Sequence, residues 1–468
     1  MDLVEVLEVV SVADLAAALV EEALAVVVLP ADGNWFSIYE RVTFTNMKKW
    51  PLLLLTFLLL IFPSCKDEEK KETEKPAVDI LTEIPFPGGK NTALPHLYTG
   101  KERTLLSWVE TINDSTSKLK FSFFDNGQWS QPSEVLSGSN WFVNWADYPM
   151  VTENNGHLLA HYLKKSAPAT FAYDIHLRLR QHDGQKWLAQ NELHTDGTPT
   201  EHGFVTALPY QTDSFFLTWL DGRETAKDND DKEQEGHQHH EGNMTLRSAI
   251  VSANGEMSEP TLLDPKTCSC CQTTAAMTEN GPVVLYRDRS DEEVRDIVIT
   301  RRINGEWTEP KPIFDDNWKI HGCPVNGPKV AALDNHLVVA WYTAANEKPE
   351  VKLSFSQNNG EDFDMPIKVS GLQPLGRVDV VLLDEENAVV SWMETSNDKT
   401  FIKAMRVNRN GKKSAAMTIA ALDASRKTGF PQMTLIENQL VFAWTSLYEG
   451  STILKTGKVA VAVFDILD

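Results

Sequence analysis

Val330-Ala-Ala-Leu-Asp-Asn-His-Leu-Val-Val-Ala-Trp-Tyr342, then Lys352-Leu-Ser-Phe-Ser-Gln-Asn-Asn-Gly360 and Met365-Pro-Ile-Lys-Val369, is the stretch on which the fold turns. Residues 330–333 and 337–342 are short apolar runs split by Asp334-Asn335, and 352–356 and 365–369 are two more split by Asn359-Gly360. Short runs rich in β-branched and aromatic residues and bounded by turn residues predict strands. Asn-Gly predicts a tight hairpin in which both central residues take positive φ. The stretch therefore reads as four antiparallel strands, A to D in chain order.

Working outward, the same order can be laid over residues 97–135, 151–193, 205–263, 275–313, 378–419 and 433–463. Strand B closes each time on an aromatic, at Trp108, Tyr162, Trp219, Tyr286, Trp341, Trp392 and Trp444, with spacings of 51 to 67 residues. Turns in phase with them stand at Asn126-Gly127, Asp183-Gly184, Asn254-Gly255, Asn304-Gly305, Asn359-Gly360 and Asn410-Gly411. A four-stranded unit repeated at this period is the pattern of an all-β propeller in one large domain, 78–468. Seven blades are expected, with six as the alternative because strand boundaries read from one sequence shift by several residues. The last repeat has no fourth strand of its own. Residues 78–84 precede the first repeat with nothing to pair, and are expected to supply that strand beside 459–464, covering two edges that an open ring would expose.

The chain of 468 residues carries 66 Asp and Glu against 44 Lys and Arg, a net charge of −22. That balance argues against a nucleic-acid groove or an anionic-membrane patch and favours a soluble monomer. Near the start, Met47-Lys-Lys is followed by the apolar residues 50–62, then Pro63-Ser64-Cys65 and a charged run. Basic, short apolar and cleavage-site segments in that order form an export signal, and the apolar segment is too short for a comfortable permanent span. Residues 1–46 are then an upstream extension outside the mature protein, 47–65 the signal and 66–77 a charged tether. The placement of Cys65 resembles that of bacterial lipoproteins, which implies lipidation of Cys65 and an outer-membrane or cell-surface location, with the membrane met through the lipid alone.

Alternating strand direction puts the D-to-A and B-to-C connections on one face of a propeller and the tight turns on the other. The first face collects the unusual chemistry. Just before strand A of successive blades stand Asp147, Glu201-His202, Cys268-Ser-Cys270-Cys271, His321-Gly-Cys323-Pro-Val-Asn326, Arg377 and Lys427. The B-to-C loops add Arg287-Asp288-Arg289 and the insert 226–242 with His237, His239 and His240. The four cysteines after Cys65 have two readings. In an oxidising envelope they form disulfides, with Cys323 joined to one of the trio in preference to a strained Cys270–Cys271 bond. Alternatively they form a thiolate or thiolate–imidazole site for copper or zinc with His321, His202 or the histidines of the insert, although the spacing matches no standard zinc module. The insert also reads as a disordered acidic loop that carries histidines.

The turn Ser356-Gln-Asn-Asn-Gly-Glu-Asp-Phe363 resembles the Asp-box, or BNR repeat, of sialidase-like propellers, departing from Ser-x-Asp-x-Gly-x-x-Trp at Asn358 and Phe363. Weaker copies lie at 125–129, 183–187 and 304–307. With the trio motif ending at Thr273, Arg287-Asp288, Gly322-Cys-Pro-Val-Asn-Gly327 and Leu375-Gly-Arg-Val-Asp379, the chain is similar to exported bacterial sialidase-like propellers. The resemblance implies a glycoside hydrolase of exo-α-sialidase type. In such enzymes three arginines hold the substrate carboxylate, a Glu-activated Tyr attacks and an Asp is the acid/base. The matching candidates are Arg377, Arg287 and Arg289 with Asn326 for the ligand, and Tyr286, Glu201, Asp147 and Asp288 for the chemistry. The Arg-Ile-Pro motif of that family is replaced by Asn91-Thr-Ala-Leu-Pro95. The expectation is therefore a propeller that binds or acts on a glycan or other anionic ligand without ordinary sialidase activity. The alternatives are a copper- or zinc-binding or redox-linked envelope protein and a non-catalytic surface interaction module.

Overall fold

The computed structural model describes residues 80–101, 103–182, 184, 186–189, 191–226 and 242–465. Cys65, the tether and the insert histidines His237, His239 and His240 lie outside them. No helix of the described residues is long and apolar enough to cross a membrane.

The strands form seven separate antiparallel sheets, one per repeat. Their first strands are Thr92–Thr99, Met150–Asn154, His202–Tyr210, Thr274–Thr278, Lys329–Leu333, Pro374–Leu382 and Gln432–Ile436, in blades 1 to 7. Each touches the corresponding strand of the next blade, and blade 7 returns to blade 1, so the ring is closed. Between blades the aromatic repeat positions are buried, with Trp108, Trp341 and Trp392 at 2% exposure or less. Burying such a ring contributes about 2–3 kcal/mol, which is why the period of the aromatics sets the period of the blades.

The closure strand is Thr82–Ile84, and it pairs with Ser451–Ala460 in the register Thr82↔Lys458 and Ile84↔Thr456. Its partner therefore lies earlier than 459–464. The Glu449-Gly450 turn starts strand C at Ser451, and past Ala460 the chain bends into a 3-10 turn that buries Phe464. Thr456 fastens the joint, donating its hydroxyl to Ile84 O at 2.7 Å and accepting from Trp129 Nε1 of blade 1 at 3.0 Å.

The hairpins divide into two kinds. Asn126-Gly127, Asn304-Gly305 and Asn359-Gly360 have both residues at positive φ, as expected of type I′ turns. At 254–255 and 410–411 only the glycine is left-handed, and the amides of Gly255 and Gly411 bond back to Ser252 O and Asn408 O. These are longer loops in which a turn is followed by one αL glycine, so the Asn keeps an ordinary φ.

On the opposite face three innermost strands begin with a bulge. Leu94, Phe204 and Arg377 take φ of 60°, 53° and 51°, each inside a register shift. A side chain held left-handed is strained, and bulges of this kind re-aim neighbouring groups.

Candidate functional site

The loop before blade 4 carries Cys268, Cys270 and Cys271. It is pinned by a backbone hydrogen bond from Cys268 N–H to Arg287 O at 3.1 Å and by a β-bridge between Thr267 and Asp288. Cys268 Sγ lies 3.7 Å from both Cys270 Sγ and Cys271 Sγ. Arg295, from the B-to-C loop of the same blade, donates Nη1 to Cys268 Sγ at 3.3 Å and is itself held by Glu293 at 2.7 Å. Hydrogen bonds from the two neighbouring thiols, with the guanidinium beside them, hold Cys268 well below the usual thiol range. Its neighbours respond in the opposite sense: burial pushes Cys271 up to about 12, and hydrogen bonding to Cys268 raises Cys270. Cys323, from the next D-to-A loop, is exposed and hydrogen-bonds to Cys270, which lowers it to about 7. The disulfide expected between Cys323 and the trio is not formed. All four cysteines are free, and Cys268 Sγ stands well beyond the bonded distance of about 2.05 Å from both Cys270 Sγ and Cys271 Sγ.

Beside Cys323 opens a cleft of about 270 Å³, lined by Trp145, Asn326, Arg377 and Arg426 among others. The guanidinium groups of Arg377 and Arg426 lie over the Trp145 ring at 4.8 and 5.8 Å. Arg377 is nonetheless engaged by the fold, donating to Thr428 Oγ1 at 3.0 Å and Gly429 O at 2.9 Å. Asn326 is the latch of the same corner, accepting from Arg377 N at 2.8 Å and donating to Pro324 O and Leu375 O. Arg287 is 2% exposed and bonds to the carbonyls of Asn326, Arg295 and Tyr342. Arg289 pairs with Glu293. The three expected arginines therefore form no open carboxylate clamp.

The expected pairing of Tyr286 with Glu201 is not formed either. Tyr286 sits in the blade core and donates its hydroxyl to Asp264. Glu201 accepts instead from Tyr173 OH at 2.8 Å, and the same hydroxyl lies 3.3 Å from Asp147 Oδ2. Burial raises Glu201 to about 8, with the charges of Asp147 and Cys323 adding to it, and burial raises Asp147 to about 7. Asp288, raised by burial to about 6, lies one blade away beside Thr267. His321 is exposed on the Cys323 loop. His202 is fully buried, stacked on His194 with ring centres 3.8 Å apart and surrounded by Asp174, Asp196 and Asp221.

Along the ring axis lies a cavity of about 80 Å³ of mixed lining, with His96, Asp147, His161, Gln272, Lys329 and Gln432 set among apolar residues such as Met150, Phe204 and Phe430, large enough for several waters. Sequence reasoning missed Tyr173, Arg295, Arg426 and Trp145. Arg295 alone had a usable signal, a position in the B-to-C loop of the cysteine blade.

No family model matches the chain, and no curated protein does. Among solved structures it is similar to a variant of the NanB sialidase of Streptococcus pneumoniae, at 12% identity over 82% of this chain and 71% of that one, TM-score 0.44. It is similar to the α-L-arabinofuranosidase Arb93A of Fusarium graminearum, at 11% identity over 82% of this chain and 98% of that one, TM-score 0.44. It is also similar to the endosialidase of phage phi92, at 10% identity over 83% of this chain and 70% of that one, TM-score 0.45.

Proposed function

We propose that the loop face is a thiolate metal site and that the protein binds a soft cation, copper(I) or zinc, through Cys268, Cys270 and Cys271 with Cys323 as the solvent-side ligand. One observation carries the reading. Sulfurs bound at about 2.3 Å to a tetrahedral ion stand about 3.8 Å apart, and Cys268 lies 3.7 Å from each of its two partners. The Cys268 thiolate supplies the charge, held low by hydrogen bonds from Cys270 and Cys271, and Arg295 donates to its sulfur and orients it. Metal analysis paired with a free-thiol count tests this. One equivalent of metal is expected, with the thiols unreactive until the metal is chelated and with metal lost in Cys268→Ser and Cys271→Ser. Metal-free protein containing two disulfides would overturn the reading.

A second reading rests on the neighbouring cleft. Arg426 has no carboxylate partner among the described residues, and with Arg377 it forms a cationic shelf over Trp145. Such a shelf suits an anionic sugar or another carboxylate ligand. The Glu201 and Asp147 carboxyls, raised by burial to about 8 and about 7, supply groups able to hold and pass a proton for a glycan-acting enzyme. Arg426→Ala should then weaken binding of a uronate or sialoside panel at least tenfold, and equal retention by both proteins excludes this reading. For location, we propose an envelope lipoprotein anchored at Cys65. Cys65→Ala should abolish lipid labelling and release the protein from the membrane fraction, whereas unchanged membrane retention would exclude the anchor.

A further inference from the structure

A second cluster lies where blade 2 meets blade 3, apart from the cysteine trio. His202 opens the inner strand of blade 3, Asp221 closes the next strand, and Asp196 comes from the loop leading into the blade. The His202 ring is fully buried. Its Nδ1 faces two backbone carbonyls, Thr200 O at 3.2 Å and Tyr173 O at 3.3 Å, so that nitrogen carries the proton and Nε2 has the lone pair. Nε2 has no hydrogen-bond partner. It points between two carboxylate oxygens, Asp196 Oδ1 at 3.4 Å and Asp221 Oδ1 at 3.6 Å. A buried lone pair aimed at two anions is repulsive unless something positive lies between them.

We propose that a zinc-type divalent cation is held here by His202 Nε2, Asp196 Oδ1 and Asp221 Oδ1. Ligands about 2.0–2.2 Å from a tetrahedral ion stand about 3.3–3.6 Å apart, the spacing that His202 shows to each carboxylate. Groups behind the ligands fit the same role. A metal-binding histidine ordinarily donates its other ring N–H to a carbonyl, as His202 does. Thr198 N donates to Asp196 Oδ1 at 3.1 Å, while Arg223 Nε and Trp219 Nε1 donate to the two oxygens of Asp221 at 2.7 and 2.9 Å. These bonds fix the carboxylates and leave His202 Nε2 as the open donor. The stacked His194 is not a ligand, because its Nε2 accepts from Ile175 N at 3.1 Å and its Nδ1 bonds to Asp196 Oδ2 at 2.8 Å. Around the ring, Asp174, Asp196 and Asp221 outnumber the nearby cations Arg223 and Arg247, and Arg247 is shared with Glu224. A bound cation offsets that excess. Nitrogen and oxygen ligands suit zinc and do not favour copper(I), so the two sites differ in the metal they select.

The test uses the full chain bearing Cys268→Ser and Cys271→Ser, stripped of metal and titrated with zinc alone. One zinc per chain is expected, and a further His202→Gln or Asp196→Asn should weaken binding at least tenfold. Cobalt(II) should give tetrahedral d–d bands without thiolate charge transfer. Absence of zinc binding in the cysteine variant, or binding indifferent to both substitutions, overturns the proposal. If the variants of His202 and Asp196 do not fold, the cobalt spectrum of the cysteine variant decides alone: those bands support the site, and no bound cobalt removes it.

Discussion

The two faces of the ring are made by the same seven blades and use glycine for opposite reasons. On the hairpin face Gly127 and Gly305 take φ of 80° and 90° with open space where a Cβ would stand. Their role is conformational, a left-handed turn that other residues enter only with strain. On the loop face Gly203 and Gly327 have no such φ, yet a Cβ would lie 2.0 Å from Asp147 Oδ2 and 2.1 Å from Gln272 O. Their role is steric. The first face includes turns, such as those at Gly127, Gly305 and Gly411, whose glycines meet no neighbour. The other is a single packed object in which every loop is shaped by the loops beside it, and for that reason it can converge side chains from several blades.

The comparison can be broken most sharply where both faces depend on one joint. Deleting residues 80–86 removes buried Ile84 and the Phe86 ring packed 5.0 Å from Trp108, and reopens the ring edge. A loss of about 5 kcal/mol or more is expected in denaturant melts, with cooperativity reduced. Trp341→Ala should cost about 3–5 kcal/mol, because a wholly buried ring leaves a cavity between blades. Metal and thiol content should stay constant in that variant if the faces are independent of the core.

Glycine substitutions sharpen the contrast itself. Gly327→Ala forces backbone apart and should cost about 2–4 kcal/mol and disturb the Cys323 loop. Gly127→Ala meets no neighbour and should cost only about 1–2 kcal/mol of αL strain, with no effect on thiol reactivity. Equal penalties would mean that the loop face is as locally determined as the hairpin face.

The faces should also differ in pH response. Glu201 is raised from its ordinary 4.5 to about 8. A carboxyl that holds its proton more tightly in the fold stabilises it at low pH, and that contribution is lost as pH rises through the folded value. Stability should therefore fall between about pH 4.5 and 8, and Glu201→Gln should flatten the slope by roughly 1–3 kcal/mol over that window. The smallest effect belongs to Arg289→Gln. Its pair with Glu293 is partly exposed, so the change should stay within about 1 kcal/mol in a thermal melt.

Much of the fold was legible because its signals are local. The stretch 330–369 contains the turns, the alternation and the core aromatic of one blade, and six more copies confirm the period. The site was legible only as a set of residue types on one face. The cysteines and Glu201 could be placed there from strand direction, but nothing local says that Arg287 would be consumed by three carbonyls while Arg426 is left without a carboxylate partner among the described residues. Tyr286 illustrates the limit: Arg287-Asp288-Arg289 follow it directly, yet it ends the apolar run Val283-Val284-Leu285, its repeat position is the core position, and the core claimed it.

The sequence by itself determined the number of blades, the closure by a strand from before the first repeat and the face that gathers unusual side chains, because hydrophobic period and turn chemistry act over a few residues. Tertiary structure alone decided which groups meet: Arg295 with the Cys268 thiolate, Tyr173 between Glu201 and Asp147, and the His202 lone pair between Asp196 and Asp221. Each meeting joins residues that lie apart along the chain, and their separation depends on how loops pack across the ring. The electrostatics of burial then give those groups properties that no residue type carries in isolation.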